Sequence, residues 1–538
     1  MRKRDVELLI GDEAVALGAL HAGISGCYSY PGTPATEILE YVQQHSLTLQ
    51  PIHALWSANE KVAYEEALGV SFVGKRALVS MKHVGLNVAA DPFINSCITG
   101  VEGGLVLVVA DDPAMHSSQN EQDSRYYARF AQIICLEPAN QQEAYDMTRE
   151  AFDLSERFQL PVMLRLVTRL AHSRSAVKVG SPSAQKKLHP SQRRQYWTLL
   201  PVNARRQYRL LTEKQSSLLE YCESSPHNEL HISSASSPLG VIASGIAYNY
   251  FRENVPYPEE LPTYLKVSTY PLPPKKLEQF LSKVKEALVI EEGYPFIEQT
   301  LLGASSISGK LIKGKMSGHL PRTGELTPTA VRKALGLEPY PVLIEEEVSL
   351  PPRPPALCRG CPHADTFGAL VEVMKDYPEG RVFSDIGCYT LSALPPYNAI
   401  DTCVEMGASV GMAKGASDVG LRPSVAVIGD STFAHSGITP LLGAARENTD
   451  MTLFILDNTT VAMTGGQETM LSGEELPRLL RGLGIDPANI KTITPVPQKH
   501  EENVNIIRQE ITHQGLSVII AARECLEAAR ERKKGSQR

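Results

Sequence analysis

The sequence predicts a multi-domain α/β protein with three open, mostly parallel sheets covered by helices. Short apolar runs rich in Val, Ile and Leu recur along the chain without polar alternation. Runs of that kind suit strands buried on both faces. Helical patterns fill the intervals, as the crossover connections of a parallel sheet require. Two compositional breaks divide the 538 residues, a length that itself favours several domains.

The first domain spans 1–172, with strands expected at 77–81, 104–110 and 160–166. Residues 173–237 are rich in Lys, Arg, Gln, Ser and Pro and include Arg193-Arg194 and Arg205-Arg206. They read as a linker carrying a surface helix around 209–221. A small α/β domain follows at 238–345. Its strands are expected at 239–245, 264–267 and 287–292, with helices over 248–254 and 275–284. The Pro-rich stretch at 350–355 propagates neither helix nor central strand, so 346–355 is a second linker. The last domain, 356–538, has strands at 381–384, 424–428, 451–456 and 517–521, and a short charged helix after Glu524.

Composition narrows the classes. Hydrophobic residues make up 43% and charged residues 21%, as in an ordinary globular protein. A net charge of −7 argues against a nucleic-acid-binding body. The basic residues of the first linker are interspersed and lack an aromatic platform. The start Met1-Arg2-Lys3-Arg4 is followed by no long apolar segment, because Gly11, Asp12 and Glu13 interrupt it. No apolar run is long enough to span a bilayer. A cytoplasmic protein is expected, binding neither nucleic acid nor membrane. The nine cysteines then read as free thiols or metal ligands before disulfides.

Two segments carry chemistry. The strand at 424–428 delivers Gly429-Asp430-Ser431 to its carboxyl end, where open parallel sheets bind ligands. Gly429 permits a tight turn beside a phosphate, and Asp430 offers Mg²⁺ a hard oxygen. The next strand ends in Asp457-Asn458. The Asn458 side-chain oxygen and the Thr460 carbonyl can complete the same ion. Few protein ligands plus diphosphate oxygens is a common Mg²⁺ arrangement. An ordinary pair of βα turns uses the same residue types. The run continues through Met463, Thr464 and Gly465, and the whole reads as an anchor for Mg²⁺ and thiamine diphosphate.

The second segment is Trp56-Ser57-Ala58-Asn59-Glu60-Lys61. Thiamine becomes reactive when a carboxylate hydrogen-bonds its aminopyrimidine ring, and that carboxylate must be kept from water. Glu60 is the candidate. Glu65 and Glu66 are rivals, and a helix-start acid complementing the dipole is the plainer alternative.

With these motifs assembled, the chain resembles the alpha subunits of the indolepyruvate:ferredoxin oxidoreductase family, within the 2-oxoacid:ferredoxin oxidoreductase superfamily. The residues that carry the likeness are Tyr30-Pro31-Gly32-Thr33-Pro34-Ala35-Thr36-Glu37, Trp56 to Lys61, and Met115-His116-Ser117-Ser118-Gln119-Asn120-Glu121-Gln122-Asp123. Cys358-Arg359-Gly360-Cys361-Pro362-His363, Asp385-Ile386-Gly387-Cys388-Tyr389-Thr390 and the run from Gly429 to Gly465 extend it over most of the chain. The resemblance implies a pyrimidine-binding N-terminal domain, a transketolase C-terminal-like middle domain and a diphosphate-binding last domain. It implies Glu60 as the ring-activating acid and Thr33 as a substrate contact. Gly387, Cys388, Met406, Gly407, Gly429, Asp430, Ser431, Asn458, Thr460, Met463 and Thr464 are the implied cofactor contacts.

By spacing, Cys358 and Cys361 form a CxxC, with Cys388 and Cys525 distant in sequence. Four thiolates can hold a [4Fe–4S] cluster, whereas a structural zinc or unliganded thiols are the alternatives. The resemblance implies the cluster. Cys27, Cys97, Cys135, Cys222 and Cys403 read as core or surface thiols. One departure from the family pattern is that no ferredoxin-like cysteine run follows Cys525. Either electrons leave the single cluster for ferredoxin or another carrier, or the electron route of this lineage has changed. Arg359, where the family has proline, is expected to raise the cluster potential. His116, His363 and His435 are candidate acid–base or phosphate contacts, with structural histidines as the plainer reading. Arg165 is a candidate carboxylate ligand or a surface side chain.

The implied reaction converts an aryl 2-oxo acid to an acyl-coenzyme A, coenzyme A being the co-substrate. A separate small beta- or gamma-type subunit and a homodimer of this chain are implied partners. A non-oxidative thiamine-dependent decarboxylase or carboligase is the rival enzyme reading, and a non-catalytic scaffold subunit is a rival of another class.

Overall fold

The structure, a computed structural model, describes residues 6–49, 51–189, 194–234, 237–303, 309–340 and 355–535. The Pro-rich stretch up to Pro354, the basic start and Arg193 lie outside the described residues. Two compact units divide the chain at Glu345 and Glu346.

The first unit holds two of the three large sheets. One has seven strands, in the order Thr269–Tyr270, Cys135–Leu136, Val162–Val167, Leu105–Asp111, Ala77–Lys82, Gly26–Ser29, His53–Trp56. All pairings are parallel except the first, where Thr269–Tyr270 runs antiparallel to Cys135–Leu136. The central strands at 77–82, 105–111 and 162–167 are buried at every position. That burial explains why they read as unbroken apolar runs. From Gly26–Ser29 the chain adds His53–Trp56 on one side and Ala77–Lys82 on the other. The strand order therefore reverses at Gly26–Ser29, a position where α/β sheets bind ligands at the carboxyl edge.

The second sheet has five strands, ordered Leu311–Lys313, Glu286–Ile290, Leu239–Ser244, Tyr264–Val267, Leu230–His231, with only the last antiparallel. The strand Thr269–Tyr270 follows directly after Tyr264–Val267 yet pairs into the seven-stranded sheet, so the two layers share chain. Segment 173–237 is more structured than a linker with a surface helix. Arg174–Lys178 pairs antiparallel with Val6–Ile10. The helix Pro201–Ser224 is longer than the expected 209–221 and buries Gln207, Leu211, Leu218, Tyr221 and Cys222. Its apolar positions recur at helical spacing but are diluted by Arg, Lys and Gln on the other face.

Arg165 is neither a surface residue nor open to a ligand: its guanidinium is fully buried. It donates to Asp111 at 2.7 Å and to Glu137 at 2.5 Å. Arg125, equally buried, donates to Asp123 at 2.5 Å and lies 2.9 Å from Glu291. This network joins the carboxyl ends of the two sheets in the first unit.

The second unit has one six-stranded sheet, ordered Thr402–Cys403, Arg381–Ser384, Ser424–Gly429, Thr452–Asp457, Ser517–Ala522, Ile490–Ile493, all parallel. Its order reverses at Arg381–Ser384. Among the described residues, no helix is long and apolar enough to cross a membrane.

Candidate functional site

In the first unit, the loops that follow the strands at 26–29, 53–56, 77–82 and 105–111 meet at the carboxyl edge of the seven-stranded sheet. Glu60 opens the helix Glu60–Phe72, whose N-cap Asn59 accepts the Val62 amide at 2.9 Å. Its side chain is only 6% exposed, whereas Glu65 and Glu66 are exposed. Glu65 pairs with Lys61, and Glu66 accepts the Ser57 hydroxyl. Of the three acids, only Glu60 is dry. It packs on Gly85, where an added Cβ would fall 2.5 Å from Glu60 Oε1.

Thr33 is half-buried in the loop after Gly26–Ser29, and its carbonyl accepts the Ser117 hydroxyl at 3.3 Å. Two organisers here carry no motif. Asp112 accepts the Ser117 amide at 2.8 Å, the Ser118 hydroxyl at 2.6 Å and the Thr168 hydroxyl at 2.7 Å. Those bonds stabilise a turn in which Ala114 and Met115 adopt φ of 66° and 55°, strained for residues with a Cβ. Lys82 ends the central strand and donates to the Ser117 carbonyl at 2.5 Å. Burial lowers its ammonium to about 8, against the opposing pull of Asp112 and Glu60. His116 is exposed, 3.5 Å from Glu325.

In the second unit, Asp430 follows Ser424–Gly429 and is 3% exposed. Its carboxylate accepts the Ser431 amide at 2.6 Å, the Thr459 amide at 2.8 Å and the Asn458 amide at 3.2 Å. These bonds tie two neighbouring strand ends together. Thr459 has φ of 63°, which a β-branched residue adopts only under constraint. Burial pushes the Asp430 carboxyl up to about 7; the amides oppose this and Asp457 reinforces it. A cation beside Asp430 would restore the ionised form.

Asn458 stands where several segments meet. Its side-chain oxygen accepts the Thr460 amide at 3.1 Å, and its amide nitrogen donates to His363 Nε2 at 3.2 Å. Burial lowers His363 to about 4, so the ring is neutral and can accept. The Asn458 carbonyl accepts the Cys525 amide at 3.1 Å. Cys525 thus abuts the Asn458 turn, and Cys361 lies two residues before His363, which contacts that turn. Cys388 follows the neighbouring strand end. Burial pushes its thiol up to about 12, reinforced by Cys361, Cys525 and Cys358. The four cysteines lie within electrostatic reach of one another despite their sequence separation. Cys27, Cys97, Cys135 and Cys222 are buried, and Cys403 is exposed.

Gly387 and Gly429 both lie against the buried ring of Tyr389. An added Cβ would come 2.3 Å and 2.8 Å from Tyr389 Cε1 at the two positions. Gly407 has φ of +97°, and its amide donates to buried Asp385 at 3.1 Å. Met406 precedes it, partly buried. His435 is buried and bonded to Ser436 at 2.6 Å. Thr464 bonds Gln467 at 2.7 Å, while Met463 is 58% exposed at the outer end of the loop.

Residues 17–222 match a family model described as pyruvate flavodoxin/ferredoxin oxidoreductase, thiamine diphosphate-binding. Residues 385–521 match the thiamine pyrophosphate enzyme C-terminal binding domain. The chain is 38% identical to indolepyruvate oxidoreductase subunit IorA of Archaeoglobus fulgidus, over 97% of this chain and 87% of that one. Against the same-named subunit of Methanothermobacter thermautotrophicus it is 37% identical, over 98% and 88%. A solved 2-oxoglutarate:ferredoxin oxidoreductase from Magnetococcus marinus, holding 2-oxoglutarate, coenzyme A and succinyl-CoA, shares the fold. Its TM-score is 0.50 at 17% identity, covering 62% of this chain and 66% of that chain.

Proposed function

Because the chain belongs to the family of indolepyruvate oxidoreductase subunit IorA, a thiamine diphosphate-dependent 2-oxoacid:ferredoxin oxidoreductase, we propose that it oxidatively decarboxylates an aryl 2-oxo acid of the indolepyruvate kind to an acyl-coenzyme A. Electrons would leave through one [4Fe–4S] cluster to ferredoxin or another carrier. The observation that carries this reading is the Asn458 turn, which contacts Asp430, His363 and the Cys525 backbone together.

The residues fit the cofactor. Asp430 and the Asn458 and Thr460 oxygens form a hard donor set suited to Mg²⁺. The glycines at 387 and 429 admit the Tyr389 ring, and Gly407 takes a positive φ against Ser436, so these three shape the turns beside the proposed site. When bound, thiamine diphosphate supplies the electron sink for a 2-oxo acid that has lost its carboxyl group. Glu60, dry and in a first helical turn, would hold a hydrogen bond to the aminopyrimidine. Lys82 and Thr33 would receive the carboxylate and carbonyl of the substrate, and burial of the ammonium strengthens that attraction.

Cys358, Cys361, Cys388 and Cys525 would hold the cluster. Beyond burial, Cys361, Cys525 and Cys358 each push the Cys388 thiol up by their charge, which supports one shared site. Four thiolates are the ligand set of a [4Fe–4S] cluster. A small beta- or gamma-type subunit and a second copy of this chain would complete the enzyme.

The test is anaerobic co-purification with the small subunit. Iron and acid-labile sulfide near four each per chain, with coenzyme A-dependent ferredoxin reduction by indolepyruvate, is expected. Iron-free protein that releases only aldehyde would overturn the oxidative reading.

A further inference from the structure

We propose that Asp12, Glu37 and His172 form a binding site for one divalent transition-metal ion, Mn²⁺ or Zn²⁺, that clamps the helix behind the Thr33 loop. The three residues come from three helices. Asp12 lies in the first turn of Gly11–His21, Glu37 in the first turn of Thr36–Leu49, and His172 ends Thr168–His172. One ligand atom from each lies within 4.8 Å of the other two.

The convergence is built into the packing. An added Cβ on Gly11 would fall 2.2 Å from the Leu170 carbonyl oxygen. Only glycine lets the start of the first helix abut the helix that carries His172. Asp12 is completely buried, and neither of its carboxylate oxygens has a hydrogen-bond partner. Glu37 Oε2 is likewise buried and unpartnered. The neighbouring acid is otherwise engaged: Glu13 accepts the Ile10 amide at 2.9 Å and lies 3.9 Å from Arg174. His172 Nε2 lies 3.6 Å from Glu37 Oε1 and, when the ring is neutral, can ligate a metal.

Two carboxylates in such a place need a counter-charge, because a carboxylate taken out of water without a partner is strongly disfavoured. Two carboxylate oxygens and one imidazole nitrogen are a donor set that suits Mn²⁺ or Zn²⁺ better than Ca²⁺. Glu37 and His172 are about a third exposed, 37% and 36%, which leaves an entry route and room for water ligands. A shared proton is the alternative occupant of the gap. Burial, reinforced by Glu37, pushes the Asp12 carboxyl well above the usual carboxylate range.

The ion would have a positioning role. Thr36, next to Glu37, accepts the Gly32 amide at 3.1 Å and so anchors the Thr33 loop. Thr168, at the other end of the His172 helix, donates to Asp112 at 2.7 Å. A metal linking the three helices would stiffen both contacts.

The test uses full-length, chelator-stripped protein without thiamine diphosphate. Mn²⁺ is titrated and its free ion is counted by electron paramagnetic resonance. Mn²⁺ is the probe because thiolates prefer softer ions, and the Asp430 turn binds Mg²⁺-type ions mainly with phosphate oxygens. One Mn²⁺ per chain is expected, with a rise in melting temperature. Glu37→Gln and His172→Ala should each weaken uptake at least tenfold and abolish the thermal shift, while Asp430→Ala should leave uptake unchanged. Both altered side chains are partly exposed, so the variants should fold, and a melting curve without metal checks this. Absence of uptake by the wild-type chain would overturn the site. Uptake that survives both substitutions, or that is lost with Asp430→Ala, would overturn it equally.

Discussion

At the edge of the seven-stranded sheet, the Glu60 side chain is pressed on Gly85 and its charge acts on Lys82. At the edge of the six-stranded sheet, Asp430 is held by three backbone amides. Both acids stand near a reversal of strand order, and both are nearly buried. The difference suits the roles proposed for the two acids. A cation ligand is best fixed by hydrogen bonds that orient its lone pairs and leave charge for the metal. An acid that activates a ring must keep water away, and apolar or small neighbours do that. On the proposed reading, one topology provides a grip at one edge and a switch at the other.

Substitutions can separate the two. Asp430→Ala should have the largest effect, lowering turnover of the reconstituted enzyme by ~10³-fold or more through lost Mg²⁺ and diphosphate anchoring. A steady-state assay at saturating magnesium reads it. Gly85→Ala should come next. Its methyl would displace the Glu60 side chain and not backbone, so kcat should fall roughly 10- to 100-fold while stability falls by only about 1–3 kcal/mol. Kinetics paired with a melting curve would read both, and an unchanged kcat in the folded variant would refute it.

Lys82 gives a smaller, pH-dependent effect. Its ammonium, lowered to about 8 by burial, is charged below that pH and neutral above it. If it receives the substrate carboxylate, kcat/KM should decline by about tenfold per pH unit above the transition. Lys82→Arg should remove that alkaline limb, because guanidinium stays charged. The smallest effect should come from Arg359→Pro. Arg359 is exposed, so water and salt screen its charge, and the cluster potential should become only slightly more negative. A redox titration with no change would discard its influence.

What could be read from the sequence divides along the same line. Buried strands such as Ala77–Lys82 and Leu105–Asp111 announce themselves as unbroken apolar runs. Gly26–Ser29 and His53–Trp56 are short and mixed in polarity, so no apolar run marks them, although they frame the Glu60 edge. The Asp430 turn is local, two strand ends with telling residues, and was readable. Glu60 could be distinguished from Glu65 and Glu66 only by burial, a tertiary property that spacing does not encode. Lys82 and Asp112 carry no motif. Their importance comes from loops 30 or more residues apart that meet at one sheet edge. Arg165 misled for the same reason, since its partners Asp111 and Glu137 lie 54 and 28 residues away.

The central claim is that one acid holds the cofactor and the other activates it. Calorimetric titration of Glu60→Gln with thiamine diphosphate and Mg²⁺, in complex with the small subunit, tests it most directly. Binding within about tenfold of wild type, with kcat reduced ~10²- to 10⁴-fold, is the predicted result. Full turnover with bound cofactor, or loss of binding equal to that of Asp430→Ala, would contradict it.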